Sequence, residues 1–295
     1  MNKPSSKANE FAPPLLRCWQ QFRSEWLSVI CFWGVFWLTL FVFMGPLFSA
    51  LSSHVFQSSS ELLPPAWVTQ GNLDHLFGTD EQGRDLFFRI LSGAQYTVGG
   101  ALLVLIIALP IGCGIGFASA ISRGVRASVL NHLMDLFIAI PSLLLVLAIV
   151  AMLGPGFTNT LLAITLSQIP RFIRESHDIL EQEMHKDYVQ ALRLDGIRPW
   201  QLLGCGILNN LLPHFILLSI QTISRNIALI AAMGFLGLGA RATQAEWGLM
   251  LREAHQLLFI APWNLLLPGI AVFLSMLTFN LLGNRIKRIF DQELN

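Results

Sequence analysis

Five long apolar runs and one shorter one divide this chain, and they constrain its fold more than any motif does. By number they span about 27–48, 97–121, 133–153, 157–170, 211–238 and 265–282. A bilayer core about 30 Å thick is crossed by roughly 20 apolar residues of helix. The first run carries no charge, and the fourth is short, so its end is expected beyond Pro170. A helix satisfies its own backbone in lipid, and long unalternating runs are not β-barrel strands. Composition agrees: 54% of the residues are apolar and 13% charged, against about 25% charged in soluble domains. The expected fold class is an all-α integral membrane protein with six transmembrane helices.

Orientation follows from the cations between the runs. One side collects Lys3, Lys7, Arg17 and Arg23, then Arg123 and Arg126. It also takes Arg171, Arg174, Lys186, Arg193 and Arg198, and finally Arg285, Lys287 and Arg288. The other side holds only Arg84, Arg89, Arg241 and Arg252. Both termini are therefore expected in the cytoplasm. A tail of 26 residues and an apolar run beyond 20 exceed a signal peptide's h-region of about 7–15, so the first run reads as a retained helix. The resulting organisation is a tail over 1–26, a first span over 27–48, and an outer loop with a short helix over 49–96. A five-helix core over 97–285 includes a cytoplasmic loop over about 181–212, and a second tail covers 286–295.

Within the spans, Gly112 and Gly116 form a G-x-x-x-G pair suited to close helix approach. Pro110 and Pro141 are expected to kink their helices. Two ionisable residues stand in or near apolar runs, Asp135 at the start of the third and Arg225 inside the fifth. Such residues are functional or paired as a rule; Asp135 suits an interfacial position, and the acid that would pair with Arg225 is not apparent. Trp67, Trp247 and Trp263 are expected at the outer interface, where aromatic rings are favoured.

The cysteines are Cys18, Cys31, Cys113 and Cys205, none of them expected on the oxidising side. No Cys/His spacing suits a metal site, no phosphate-cradling G-x-x-x-x-G-K-[ST] loop occurs, and GFLGLG lies in an apolar span. No bound cofactor or metal is expected. An intramembrane enzyme would need a constellation of catalytic side chains, and a secondary transporter would need an ion site; neither is visible.

The segment between the fourth and fifth runs is too long for a simple connection. It contains KDYVQALRLDGIRPWQLLGCGILNNLLP, from Lys186. Asp187 is placed as an N-cap, Tyr188 to Asp195 as two helical turns, and Gly196 as the left-handed residue that ends them. Pro199 fits the first turn of a second helix. So short a helix needs a surface to pack on. Ala191 allows close approach and Tyr188 offers an aromatic anchor for a groove on a partner, unless the helix simply lies on the membrane.

This segment resembles the EAA coupling loop of ABC-importer membrane subunits through Tyr188, Val189, Ala191 and Gly196, and more loosely Pro213. Leu192 replaces the second alanine, Cys205 and Gly206 stand where Arg-His is common, and Asn209 where proline is common. HLFGTDEQGRDLFFRILSGAQYTVGGA, from His75, is similar to the outer-loop signature of dipeptide/oligopeptide permeases; it contains Gly78, Thr79, Asp80, Gly83, Arg84 and Asp85. GFLGLGARATQAEWGLML, from Gly234, resembles the end of that family's fifth span and the loop after it, and PWNLLLPGIAVFLSMLTFNLLGNRIKRIFD, from Pro262, resembles its last span. Within the family the chain looks most like the Sap-type subunits associated with antimicrobial-peptide sensitivity.

The resemblance implies a type I importer permease fold with a cytoplasmic coupling helix, in a bacterial inner membrane. It implies a second homologous permease, two cytoplasmic ATPases that hydrolyse ATP, and a periplasmic binding protein as partners, with membrane lipid around them and no nucleic acid. The solute would be a peptide, although related systems also carry polyamines and metals. The residue types in the outer loop also have a local reading. Thr79 or Asp80 can cap a helix starting near Glu81, Asp80 and Arg84 are four apart and can pair, and Gly78 and Gly83 mark bends. Such a turn would anchor the entrance of the second span, the reading favoured over contact with solute, which stays the alternative.

Overall fold

In the computed structural model, the structure describes residues 23, 25–54, 61–68, 70–121, 135, 138–197, 201, 207–241 and 243–294. Among these residues there is no strand, only an isolated bridge between Thr79 and Asp85. The helices are α1 (Trp26–His54), α2 (Leu86–Ile121), α3 (Ser142–Leu153), α4 (Phe157–Met184), α5 (Asp187–Leu194), α6 (Leu208–Phe235), α7 (Trp247–Ala254) and α8 (Trp263–Leu294).

Among the described residues, four helices are long and apolar enough to cross a membrane: Trp26–Ala50, Leu86–Ile121, Asn210–Phe235 and Trp263–Phe290. They answer to four of the six spans expected from the sequence; the third expected run, 133–153, lies partly outside the described residues. Proline sets where the described helix of that third run begins. Pro141 does not kink a continuous helix; it stands at the N-cap of α3, where a missing N–H costs nothing. The fourth run opens α4, which runs on beyond Pro170 as expected but gathers charge in its second half.

The bundle is built around α2, which packs on α1, α4 and α6, while α8 packs on α6 and α1. Its core joins Val98, Val104, Ile164, Phe172, Ile227, Ile230 and Met233. The expected Gly112–Gly116 contact is made with α4. A Cβ on Gly116 would stand 2.5 Å from the Ile173 carbonyl oxygen and 2.8 Å from Ser176 Cβ. Opposite surfaces of α1, α2 and α8 show Phe43, Ile106 and Phe273 to their surroundings, at 77%, 66% and 61% exposure. An apolar exterior of this kind suits hydrocarbon, not water.

Two local expectations are corrected. No separate helix starts near Glu81: residues 81–83 turn, and α2 begins at Leu86 with the Phe88 amide donating to Asp85 Oδ1 at 3.2 Å. Trp247 is not interfacial. It is 2% exposed, and its indole N–H donates to the Ile90 carbonyl at 2.9 Å, because Glu246 caps α7 and turns its first residue inward.

Candidate functional site

The short helix α5 follows α4 after a bend at His185 and Lys186. Lys186 is its N-cap, in extended conformation, so Asp187 occupies the first turn and not the cap. Its other end closes as the glycine predicts. Gly196 has φ +84°, its amide donates to Arg193 at 3.0 Å, and the Ile197 amide donates to Leu192 at 3.3 Å. Those two bonds form a Schellman motif. The motif's partners Leu192 and Ile197 pack on one small apolar cluster with Leu180, Met184, Val189, Ile207 and Leu211.

Val189 is wholly buried in that cluster and pins α5 to the ends of α4 and α6. The opposite face is open: Ala191 and Gly196 are exposed, Tyr188 is 39% exposed and Leu194 89%. Pro199, Cys205 and Gly206 lie outside the described residues, as does the Asn209 side chain.

A residue that the motif reading did not single out braces this helix. Glu183, 3% exposed, accepts from the Tyr188 hydroxyl at 2.5 Å, from Asn210 Nδ2 at 3.2 Å and from Lys186 Nζ at 2.7 Å. Burial alone would raise its pKa, but these donors outweigh burial and hold the carboxyl below its ordinary value. Its sequence signal was the i,i+3 spacing to Lys186, a common and unspecific one.

At the other end of the bundle the loop before α2 forms a knot of charges. Asp80 Oδ1 accepts from the amides of Gln82 and Arg84 at 2.8 and 2.9 Å. Asp80 Oδ2 takes Arg84 Nε at 2.7 Å and also Arg89 Nη1. The expected Asp80–Arg84 pair is therefore present, enlarged by Arg89 and by Glu253 of α7, whose Oε2 is 3.2 Å from Arg89 Nη2. Burial pushes the Asp80 carboxyl up, but Arg89 and Arg84 outweigh it and hold the carboxyl below its ordinary value.

Gly78 and Gly83 take φ +80° and +70°. Thr79 Oγ1 accepts the Leu63 amide at 2.9 Å, and Asp85 Oδ2 meets His75 Nδ1 at 2.8 Å. The adjoining cleft holds about 80 Å³, far below the roughly 300 Å³ of a small-molecule site. The knot fixes the loop on α7 and α2.

Glu246 completes the picture near that end. It is 1% exposed, and it accepts from the Gly248 and Leu249 amides at 2.7 and 2.8 Å and from Thr97 Oγ1 at 3.2 Å. Burial outweighs these donors and pushes its pKa up to about 7.

Asp135 is exposed and pairs with Arg174, which also holds Asp178 at 2.9 Å. His177, Asp178 and Glu181 bring ligand atoms within 4.8 Å of one another, yet Asp178 is already engaged by Arg174 and Glu181 is exposed. Arg225 is half-buried on α6 and, among the described residues, has neither a hydrogen bond nor an ion pair.

The chain as a whole is similar to known proteins. Residues 108–295 match the family described as binding-protein-dependent transport system inner membrane component. The chain belongs to this family. It is 36% identical over 282 residues to the peptide transport system permease protein SapC of Escherichia coli O6:H1, covering 95% of both chains. It is 38% identical to SapC of Salmonella typhimurium, again over 95% of each. It is 35% identical to the di/tripeptide transport system permease protein DppC of Pseudomonas aeruginosa, over 99% of this chain and 97% of that one. The MetNI methionine ABC transporter in its inward-facing form shares the fold, at TM-score 0.54 and 17% identity, over 68% of this chain and 97% of that one. As an inner membrane component of such a system, this permease is a multi-pass membrane protein and not the ATPase.

Proposed function

We propose that this permease forms half of a translocation pathway for peptides, and that α5 is the helix through which two cytoplasmic ATPases drive it. A second, homologous permease supplies the other half, and a periplasmic binding protein delivers the solute. The run 133–153, whose second half is α3, and the first half of α4 supply the two crossings beyond the four long helices. Both termini then face the cytoplasm, as the cation pattern requires.

The observation that carries this reading is the two-sided build of α5. One side is locked to α4 and α6 by Val189, Glu183 and Asn210. The other presents Ala191, Leu194 and an edge of Tyr188, a small, partly apolar surface suited to a groove. A push on that surface passes directly into two helices of the bundle. ATP binding and hydrolysis belong to the partner subunits, and this chain supplies the mechanical link. The relatives named for peptide and di/tripeptide transport support the solute class.

The test is a mild-detergent purification of this permease, coexpressed with the genes beside its own, with and without Ala191→Glu. Copurification of two ATPases and a second permease with the wild type is expected, with the ATPases lost from the variant. Unchanged ATPase recovery and normal peptide uptake by Ala191→Glu, and by Gly196→Trp, would sink the coupling role of α5.

A further inference from the structure

Most of α6 is held by its neighbours. Ser224 Oγ donates to the Met276 carbonyl of α8 at 3.4 Å. Asn226 Nδ2 donates to the Ala101 carbonyl of α2 at 3.4 Å and Asn226 Oδ1 accepts from Gln168 of α4 at 3.0 Å. What remains is the strip His214, Gln221, Arg225, Ala228 and Ala232. Its steps of seven, four, three and four place it on one helical face, and every member is exposed or half-buried.

This strip does not look like a lipid-facing surface. Between Ile216 and Phe235 of α6 no large apolar side chain is exposed, whereas α2 exposes Leu103, Ile106 and Ile107 and α8 exposes Ile270, Phe273 and Leu274. Arg225 is also deep. It lies about 22 Å of helix from Asn210 and about 15 Å from Phe235, at 1.5 Å per residue. A guanidinium cannot be deprotonated there, and at that depth it requires water or an anion. The chain supplies no acid to it among the described residues. Gln221, one turn away, adds a neutral hydrogen-bonding group.

We propose that Arg225 binds a carboxylate of the transported solute as the solute passes along this open face of α6. The inference rests on the proposed permease function and adds a solute-contacting residue to it. An arginine fork matches a carboxylate bidentately, and the two alanines beyond it leave room for the rest of the chain of a peptide. A solute with a free C-terminal carboxylate is the complementary cargo.

The experiment uses the complete transporter in proteoliposomes, driven by ATP and by saturating loaded binding protein. Uptake is compared for wild type, Arg225→Gln and Arg225→Lys, with one peptide carrying a free C-terminal carboxylate and with its C-terminal amide. Arg225→Gln is expected to slow uptake of the free acid by about tenfold, the worth of one charge-assisted hydrogen bond. Arg225→Lys should recover most of that loss, and amide uptake should change by less than about twofold. Copurification of the second permease and stimulated ATP hydrolysis should be unchanged. Equal slowing of acid and amide, or free-acid uptake within twofold of wild type, overturns the proposal. Loss of the second permease from Arg225→Gln overturns it too, by assigning Arg225 to an acid of that subunit. Absence of ATP-driven uptake by the wild type would instead strike at the transport reading beneath it.

Discussion

The Glu183 carboxylate accepts the Tyr188 hydroxyl at 2.5 Å across the bend that joins α4 to α5. A buried acid thus holds an exposed helix by its aromatic residue, and Asn210 of α6 closes the triangle at 3.0 Å from the same hydroxyl. Tyr188→Phe removes one donor from a buried carboxylate, a loss of about 1–3 kcal/mol. Amide exchange over residues 187–194 should accelerate by roughly tenfold, each 1.4 kcal/mol being worth about that factor. Exchange at α2 should stay unchanged. Hydrogen-exchange mass spectrometry of the purified permease checks this, and equal protection of α5 in both proteins would refute the brace.

Gly116 and Gly114 make a controlled pair on α2. A Cβ at Gly116 meets the Ile173 carbonyl oxygen at 2.5 Å, while one at Gly114 meets nothing within 4 Å. Gly116→Ala must push α4 away, at about 1–3 kcal/mol. Gly114→Ala should be neutral or stabilising by up to about 1 kcal/mol, since alanine favours the helix. Thermal unfolding in detergent should therefore move in opposite directions or separate clearly; a lower midpoint for Gly114→Ala than for Gly116→Ala would contradict the packing described.

The long helices α1, α2, α6 and α8 were legible in the sequence because lipid leaves an apolar run unbroken by charge. The extension of α4 beyond Pro170 was legible for the complementary reason, since 14 residues of apolar run are too short to cross. Glu253 and Glu246 were not. Their partners Arg89 and Thr97 lie 164 and 149 positions away, and a single glutamate near an apolar helix carries no periodic signal. Trp247 misled because an indole near a span's end is amphipathic either way; only the cap at Glu246 decides which way it turns. Asp80 with Arg84 was readable at i,i+4, but the buried partner Arg89 was hidden in the first turns of what is now α2.

Arg89 carries the outer knot more than Arg84 does. Its side chain is 5% exposed against 20% for Arg84, and it alone among the two reaches Glu253 at hydrogen-bond distance. Removing one partner of a buried pair costs about 3–5 kcal/mol. Arg89→Gln should therefore destabilise the permease several times more than Arg84→Gln in the same thermal assay. Because the Asp80 carboxyl sits below its ordinary value, its contribution is present above the unfolded pKa and disappears as pH falls through the folded one. Arg89→Gln should flatten that acid-side loss, and an unaltered acid limb would argue against the knot.

Glu246 behaves in the opposite sense. Its folded pKa of about 7 exceeds the ordinary 4.5, so the folded state holds a proton that the unfolded chain has released between those values. Stability from this group is then full below about 4.5 and is lost as pH rises towards 7. Glu246→Gln removes the titration, so the decline between those two pH values should shrink in the variant. The amide also places an N–H against an amide donor of Gly248 or Leu249, leaving one cap bond unmade at about 1–2 kcal/mol. The variant should accordingly unfold earlier than wild type at pH 5 and approach it by pH 8. Two parallel stability profiles, displaced but equally steep, would show that Glu246 caps α7 without exchanging its proton.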